Sequence, residues 1–320
     1  MQCIVGDDAV RATNDDASDC KRCAVNLGYW EDRYISLFVK AGERKAPEIN
    51  RGYYARTRGV GLLIEAFIKR AGTDCQIINF GAGFDTLYWR LKDGGHEVKN
   101  FIELDFPTVT AKKCYTIKRN KILLEKIHTE DGEVRFSPTD LHGAKYHLVG
   151  VDLRHLNEVR TKLAESEVDW SAPTLLLAEC VLVYMEPESS SALLSMLATN
   201  LQRAYFINYE QINMGDRFAQ IMLSNLRARG CALAGVEACR DLASQQQRFL
   251  DAGWQGAKAW TMEQVWASIP REDRQRVERL EFLDEQELLQ QLFQHYCISV
   301  SWLDNGDAPL HLADIEWLST

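Results

Sequence analysis

The apolar positions along the chain change rhythm near residue 75. Before it they recur at helical spacing. Val60, Leu63, Ile64 and Phe67 fall on one face, and Ile35, Phe38 and Val39 share another. This predicts helical pieces between about 16 and 70, with a break at Pro47. Beyond residue 75 come short apolar runs, each closing on a glycine or an acid. The run 75–80 ends at Gly81, 98–104 at Asp105, 146–151 at Asp152, 174–178 at Glu179, and 204–209 near Glu210. Helical stretches such as 107–119, 155–167 and 188–201 lie between them. Alternation of this kind predicts an α/β fold with a doubly wound, mostly parallel sheet. A last strand, 296–302, follows an amphipathic helix over 285–295. Residues 212–284 are rich in helix formers and mixed charge, which predicts a helical insertion after the fifth strand. Residues 1–15 are polar and read as a mobile N-terminus. The remainder, 16–320, reads as one domain, with 16–72 as a helical cap upon it.

Charge and composition narrow the function. The 320 residues carry a formal net charge of −9, which argues against a non-specific nucleic-acid binder. No apolar run approaches bilayer length, so no membrane partner is expected. The start is acidic (Asp7, Asp8, Asp15, Asp16, Asp19) rather than basic and then apolar, unlike a secretory leader. Nine cysteines are scattered along the chain, and Cys180 and Cys297 sit in apolar runs. They read as reduced thiols of a cytoplasmic protein. Cys20 and Cys23 form a CxxC, but neither a second CxxC nor a histidine pair completes a metal site. No metal ligands are assigned.

The strand ends carry the candidate chemistry, because ligands of open α/β sheets sit beyond the carboxyl ends of the strands. After the first strand comes Gly81-Ala82-Gly83. Glycines permit positive φ and a close backbone approach to a ligand. Asp85 occupies the slot where a dinucleotide fingerprint has its third glycine, and an acid there would repel a pyrophosphate. Asp105 suits ribose hydroxyls, though it also suits a cap on the helix at Pro107. Asp152 could accept from an adenine amino group or cap its own helix. Glu179 lies inside Thr174–Val183, an apolar run, so it must be paired, bound or protonated. It suits a cofactor's ammonium or sulfonium, or a buried salt bridge. Residues 40–70 hold eight Lys or Arg against three acids, which points to an anionic ligand or to a solvated helix face.

At these positions the chain resembles the leucine carboxyl methyltransferase family, which esterifies the C-terminal leucine of the protein phosphatase 2A catalytic subunit. The matching stretches are 44–53 (RKAPEINRGY), 79–86, 89–93, 178–185 (AECVLVYM) and 207–218 (INYEQINMGDRF). The glycine turn alone would also fit bacterial methyltransferases and tRNA-wybutosine enzymes; the stretches at 44–50 and 208–211 are more specific. The resemblance implies a class I S-adenosylmethionine-dependent methyltransferase with a seven-stranded sheet. It implies cofactor contacts at Lys21, Arg56, Gly81, Asp105, Asp152, Leu153 and Glu179. Arg56, Arg154 and Tyr184 become the candidate catalytic residues, and Tyr209, Glu210 and Gln211 the candidate substrate contacts. The implied partner is the phosphatase catalytic subunit, alone or with its scaffold subunit, recognised through the 212–284 insertion.

The acceptor would be a terminal carboxylate, ionised at neutral pH, so an in-line transfer needs no general base. Two alternatives stay open at this point. A nicotinamide-dependent oxidoreductase would share the glycine turn and the acid of the second strand. A non-catalytic relative would bind the phosphatase without modifying it.

Overall fold

The computed structural model describes residues 6–127, 133–305 and 308–315. Nine strands build one sheet: β1 (Gln76–Phe80), β2 (Asn100–Asp105), β3 (Arg135–Phe136), β4 (Leu141–His142), β5 (Tyr146–Gly150), β6 (Thr174–Glu179), β7 (Arg203–Gln211), β8 (Gly256–Thr261) and β9 (Tyr296–Asp304). Their order is β3-β4-β5-β2-β1-β6-β7-β9-β8. The five strands from β5 to β7 in that order are parallel. β9 runs antiparallel to β7 and β8 antiparallel to β9. This is the doubly wound α/β arrangement. Strand order reverses between β1 and β6, so a crevice opens beyond their carboxyl ends.

The parallel strands are buried on both faces, which is why they read as unbroken apolar runs. Alternate residues serve opposite sides. Ile77, Phe101, Leu148, Leu175 and Ile207 pack with Leu63, Phe67 and Trp89 of the N-terminal half. Ile78, Ile102, Val149, Leu176 and Phe206 pack with Leu163, Leu193, Leu197 and Phe249. The helix Pro47–Ala71 begins with Pro47 at its first turn, where a missing N–H costs nothing, so the break at that residue is a helix start.

The sequence expectation needs three corrections. The sheet has nine strands rather than seven, because β3 and β4 extend one edge as an antiparallel hairpin against β5. Each has two residues, too few for a period to show. Second, 212–284 is not wholly helical, since it contains β8. That strand is half-buried throughout and reads Gly-Ala-Lys-Ala-Trp-Thr, with Trp260 its one large apolar side chain, so no apolar run marks it. Gly256 is required there because a Cβ would meet the Trp302 ring at 2.2 Å. Third, the described part of the 1–15 segment is helical rather than irregular: the helix Asp7–Asn26 starts well inside it, and residues 1–5 lie outside the described residues. Among the described residues no helix is long and apolar enough to cross a membrane.

Candidate active site

The turn after β1 is fixed from several sides. Gly81 and Gly83 have φ of 60° and 52°, a region open to glycine. A Cβ on Gly81 would also sit 2.5 Å from Val181 Cγ2. The Gly83 amide donates to Asp105 Oδ2 at 2.7 Å, and the Phe106 amide donates to Asp105 Oδ1 at 2.6 Å. The Phe84 amide donates to Asn14 Oδ1 at 2.8 Å, so the N-terminal helix clasps the turn. Asp105 does not cap the Pro107–Arg119 helix, which has no side-chain cap. Burial pushes Asp105 above the usual carboxylate range, in spite of its two amide donors. Asn79 ends on the same wall, and its buried Nδ2 has no partner among the described residues.

Asp85 is nearly buried and does not stand as a bare negative charge. Lys21 Nζ lies 3.8 Å from one oxygen and Arg90 Nη2 3.4 Å from the other. Burial works against ionisation, but Lys21, Arg90 and Lys113 outweigh it and hold the carboxyl well below its usual range. The repulsion argued from the sequence is therefore largely neutralised by these cations. Asp85 belongs to the wall of the site together with Lys21.

After β5, Asp152 grips Arg154. Its oxygens accept from Arg154 Nε at 2.9 and 3.1 Å, from Nη2 at 2.6 Å, and from the Arg154 amide at 3.0 Å. The same guanidinium donates to both oxygens of Asp7, at 3.1 and 2.9 Å. Burial raises Asp152, but these Arg154 bonds prevail and hold it low. Arg154 and Arg11 both lie over the Phe106 ring, at 5.8 and 4.8 Å from its centroid.

β6 delivers the other half of the site. Glu179 is paired with Arg56 through its side chain, and Arg56 Nη2 also lies 3.4 Å from the Glu179 carbonyl. Burial raises Glu179, yet Lys21 and Arg56 together hold it below the usual range. The Arg56 guanidinium lies 4.5 Å from the Tyr209 ring centroid and 5.6 Å from that of Tyr53. Tyr209 stacks on Tyr296 with centroids 5.2 Å apart. That stack follows from register: Gln211 of β7 faces Tyr296 of β9, which puts Tyr209 two residues along. The next residue, Cys180, has φ of 56°, a costly conformation for a side chain bearing Cβ, and such strain gathers at functional sites. Burial pushes the Cys180 thiol up to about 12 and raises the phenols of Tyr53, Tyr184, Tyr209 and Tyr296. All five are neutral at ordinary pH.

One cavity of about 710 Å³ joins these parts. Lys21, Arg56, Gly81, Asp105, Asp152, Leu153 and Glu179 line it, and so do Arg154, Tyr184, Tyr209 and Gln211. Glu210 does not. It is wholly buried beneath the wall, accepts the Val183 amide at 3.1 Å, and lies 3.6 Å from Arg248. Strand alternation explains this: Tyr209 and Gln211 share one face of β7 and Glu210 points to the other. Sequence reasoning missed Asn14, Asn79, Phe106 and Tyr296, and the apolar end formed by Met262, Leu292 and Phe293. Only Asn79, beside the glycine turn, carried a local signal. The others reach the site through tertiary folding.

The family model for leucine carboxyl methyltransferase matches residues 9–198. The chain is 48% identical to leucine carboxyl methyltransferase 1 of Bos taurus over 97% of this chain and 94% of that one. It is 40% identical to leucine carboxyl methyltransferase 1 of Caenorhabditis elegans over 92% and 91% of the two. A tRNA wybutosine-synthesizing protein 4 of Homo sapiens is 37% identical over 95% of this chain but 45% of its own length. By the extent of these matches and the motifs that line its cavity, this chain belongs to the leucine carboxyl methyltransferase family.

Proposed function

We propose that the chain is an S-adenosylmethionine-dependent enzyme that methyl-esterifies the C-terminal leucine carboxylate of a protein phosphatase 2A catalytic subunit. Family membership supports the reaction class. The observation that carries the reading is the single cavity running from the glycine turn to the Arg56–Glu179 pair. Its donors and acceptors fit the cofactor in order. Asp105, with each oxygen holding one amide, keeps lone pairs for a ribose diol. Asp152, Leu153 and Phe106 suit the adenine end. Lys21 and the unpartnered Asn79 Nδ2 suit a carboxylate, and Glu179 suits an ammonium. When bound, the cofactor supplies an electrophilic methyl on a sulfonium.

The chain's own task is alignment. A terminal carboxylate has a pKa of roughly 3.5 and arrives ionised. Among the described residues the cavity wall has no histidine, and its phenols and thiol are neutral, so they serve as donors and apolar surface rather than as bases. Arg56 spends Nε and Nη2 on Glu179, which leaves Nη1 to serve the acceptor carboxylate. Met262, Leu292, Phe293 and Tyr53 suit a leucine side chain. Holding oxygen, methyl and sulfur in line contributes on the order of 7–11 kcal/mol. Arg154 follows β5, three strand spacings or roughly 14 Å across the sheet from β6 and Glu179, and its donors are spent on Asp7 and Asp152. We assign it to fixing the adenine-side acid, and leave Arg56 and Tyr184 at the transfer end.

Titration calorimetry with S-adenosylmethionine and with NADH tests the cofactor assignment. A saturable heat with the first and none with the second is expected. Binding of NADH alone would return the site to the oxidoreductase reading.

A further inference from the structure

Behind the glycine turn lies an ion pair that the reaction does not use. Lys113, from the helix Pro107–Arg119, is wholly buried, and so is its partner Glu103 of β2. Lys113 Nζ lies 2.6 Å from Glu103 Oε2 and donates to the Asp85 carbonyl at 2.7 Å. The Tyr146 hydroxyl donates to the same Glu103 oxygen at 2.7 Å. The ammonium also sits 5.8 Å from the ring centroids of Phe38 and of Trp89. Neither Lys113 nor Glu103 lines the cavity.

Stability is a poor explanation for this pair. Removing an ammonium and a carboxylate from water costs several kcal/mol each, and a well-packed apolar pair of similar volume is often as stable or more so. What an apolar pair could not do is donate to the Asp85 carbonyl. We propose that Lys113 is a positioning residue, whose buried ammonium holds the Asp85 peptide and thereby aims the Asp85 carboxylate at Lys21 on the cavity wall. The reading rests on the assignment of that wall to the cofactor. Other contacts also fix the same segment, among them Asn14 on the Phe84 amide, Asp32 on the Thr86 hydroxyl, Asp85 Oδ1 on the Leu87 amide, and the Asp85 amide on the Ala82 carbonyl. Lys113 alone reaches the Asp85 carbonyl among the described contacts. Its charge also favours the ionised forms of Asp85 and Asp105, the two acids nearest the turn.

Two variants separate positioning from folding. Glu103→Gln keeps the Lys113 donor but leaves its charge buried without a carboxylate, so its stability is followed by denaturant unfolding and its binding is read on the folded chain. Lys113→Met with Glu103→Gln removes both charges and leaves no buried ion unpaired. S-adenosylhomocysteine affinity is read by calorimetry, with kcat at saturating cofactor measured beside it. The double variant is expected to lose on the order of tenfold or more in affinity, as for loss of a hydrogen bond from a charged donor. Its kcat at saturating cofactor is expected to stay within about twofold, and Glu103→Gln is expected to bind within about threefold of the unaltered chain. Unchanged affinity in the double variant overturns the proposal, as does equal loss in both variants. Failure of the unaltered chain to bind S-adenosylhomocysteine overturns the cofactor assignment instead.

Discussion

Arg56 shows how much a single side chain carries in this site. It pairs with Glu179, lies over Tyr209 and lines the cavity, and the proposed function puts it where the cofactor end meets the acceptor end. Arg56→Ala removes the one cation among the described residues in direct contact with Glu179 and leaves only Lys21 to offset its buried charge, so both affinity and alignment suffer. Single-turnover rates at saturating cofactor are expected to fall by about a hundredfold or more, the scale of a small misplacement of reacting groups. A normal single-turnover rate would remove Arg56 from the transfer end. A second residue-scale effect lies far from the cavity. His147 on β5 is buried, with Nδ1 2.9 Å from His142 Nδ1 and Nε2 unpartnered. Burial, then the charges of His142 and Arg135, push it down to about 4. An unfolded imidazole titrates near ~6.5. Between these values the unfolded chain binds the proton and the folded chain does not. Stability is therefore full above about 6.5 and is lost as pH falls toward 4. The loss attributable to His147 is about 3 kcal/mol. Denaturant unfolding of His147→Asn at pH 7 and pH 5 checks this: the variant is expected to lose less on acidification than the unaltered chain.

At the scale of elements, the helix Asp7–Asn26 matters more than its polar sequence suggests. Asp7 holds Arg154, Asn14 holds the turn amide, and Lys21 faces Asp85. Its buried positions include Asp7 and Ser18, so it has little apolar stripe to read. Deleting residues 1–15 removes Asp7 and Asn14 together. Calorimetry is expected to find S-adenosylmethionine affinity reduced by on the order of tenfold or more, from two lost charged or turn-fixing contacts. Unchanged affinity would restore the picture of a mobile tail. The parallel strands β1, β2, β5, β6 and β7 were legible because both of their faces are buried, and the glycine or polar residues at or just beyond their ends (Gly81, Asp105, Asp152, Glu179, Gln211) marked the crevice. β8 was not, because this half-exposed edge strand carries one large apolar side chain, Trp260, and so has no apolar run. Gln211 and Glu210 stood side by side in the motif, yet only register shows that one faces the cavity and the other Arg248. Tyr296 and Phe293 come from the far end of the chain, and only the pairing of β9 with β7 brings them in.

On the whole-molecule scale, the cavity is made by three regions distant in sequence: the N-terminal helices, the crevice at the reversal of strand order, and the segment after β7. The helix Arg217–Ala228 contributes Met222, Asn225 and Leu226 to the wall, so part of the post-β7 segment borders the cavity. If the folded phosphatase is recognised there, an isolated C-terminal peptide is expected to be methylated much less efficiently than the intact subunit. Equal kcat/KM for the two would confine recognition to the cavity. The central claim is that methyl passes from S-adenosylmethionine to a C-terminal leucine carboxylate. It is tested most directly by incubating the chain with methyl-tritiated cofactor and purified phosphatase 2A. The expected result is label on the catalytic subunit that is released by mild base, as an ester must be, and is absent when the terminal leucine is deleted. Label stable to base, or label that survives deletion of that leucine, would contradict it.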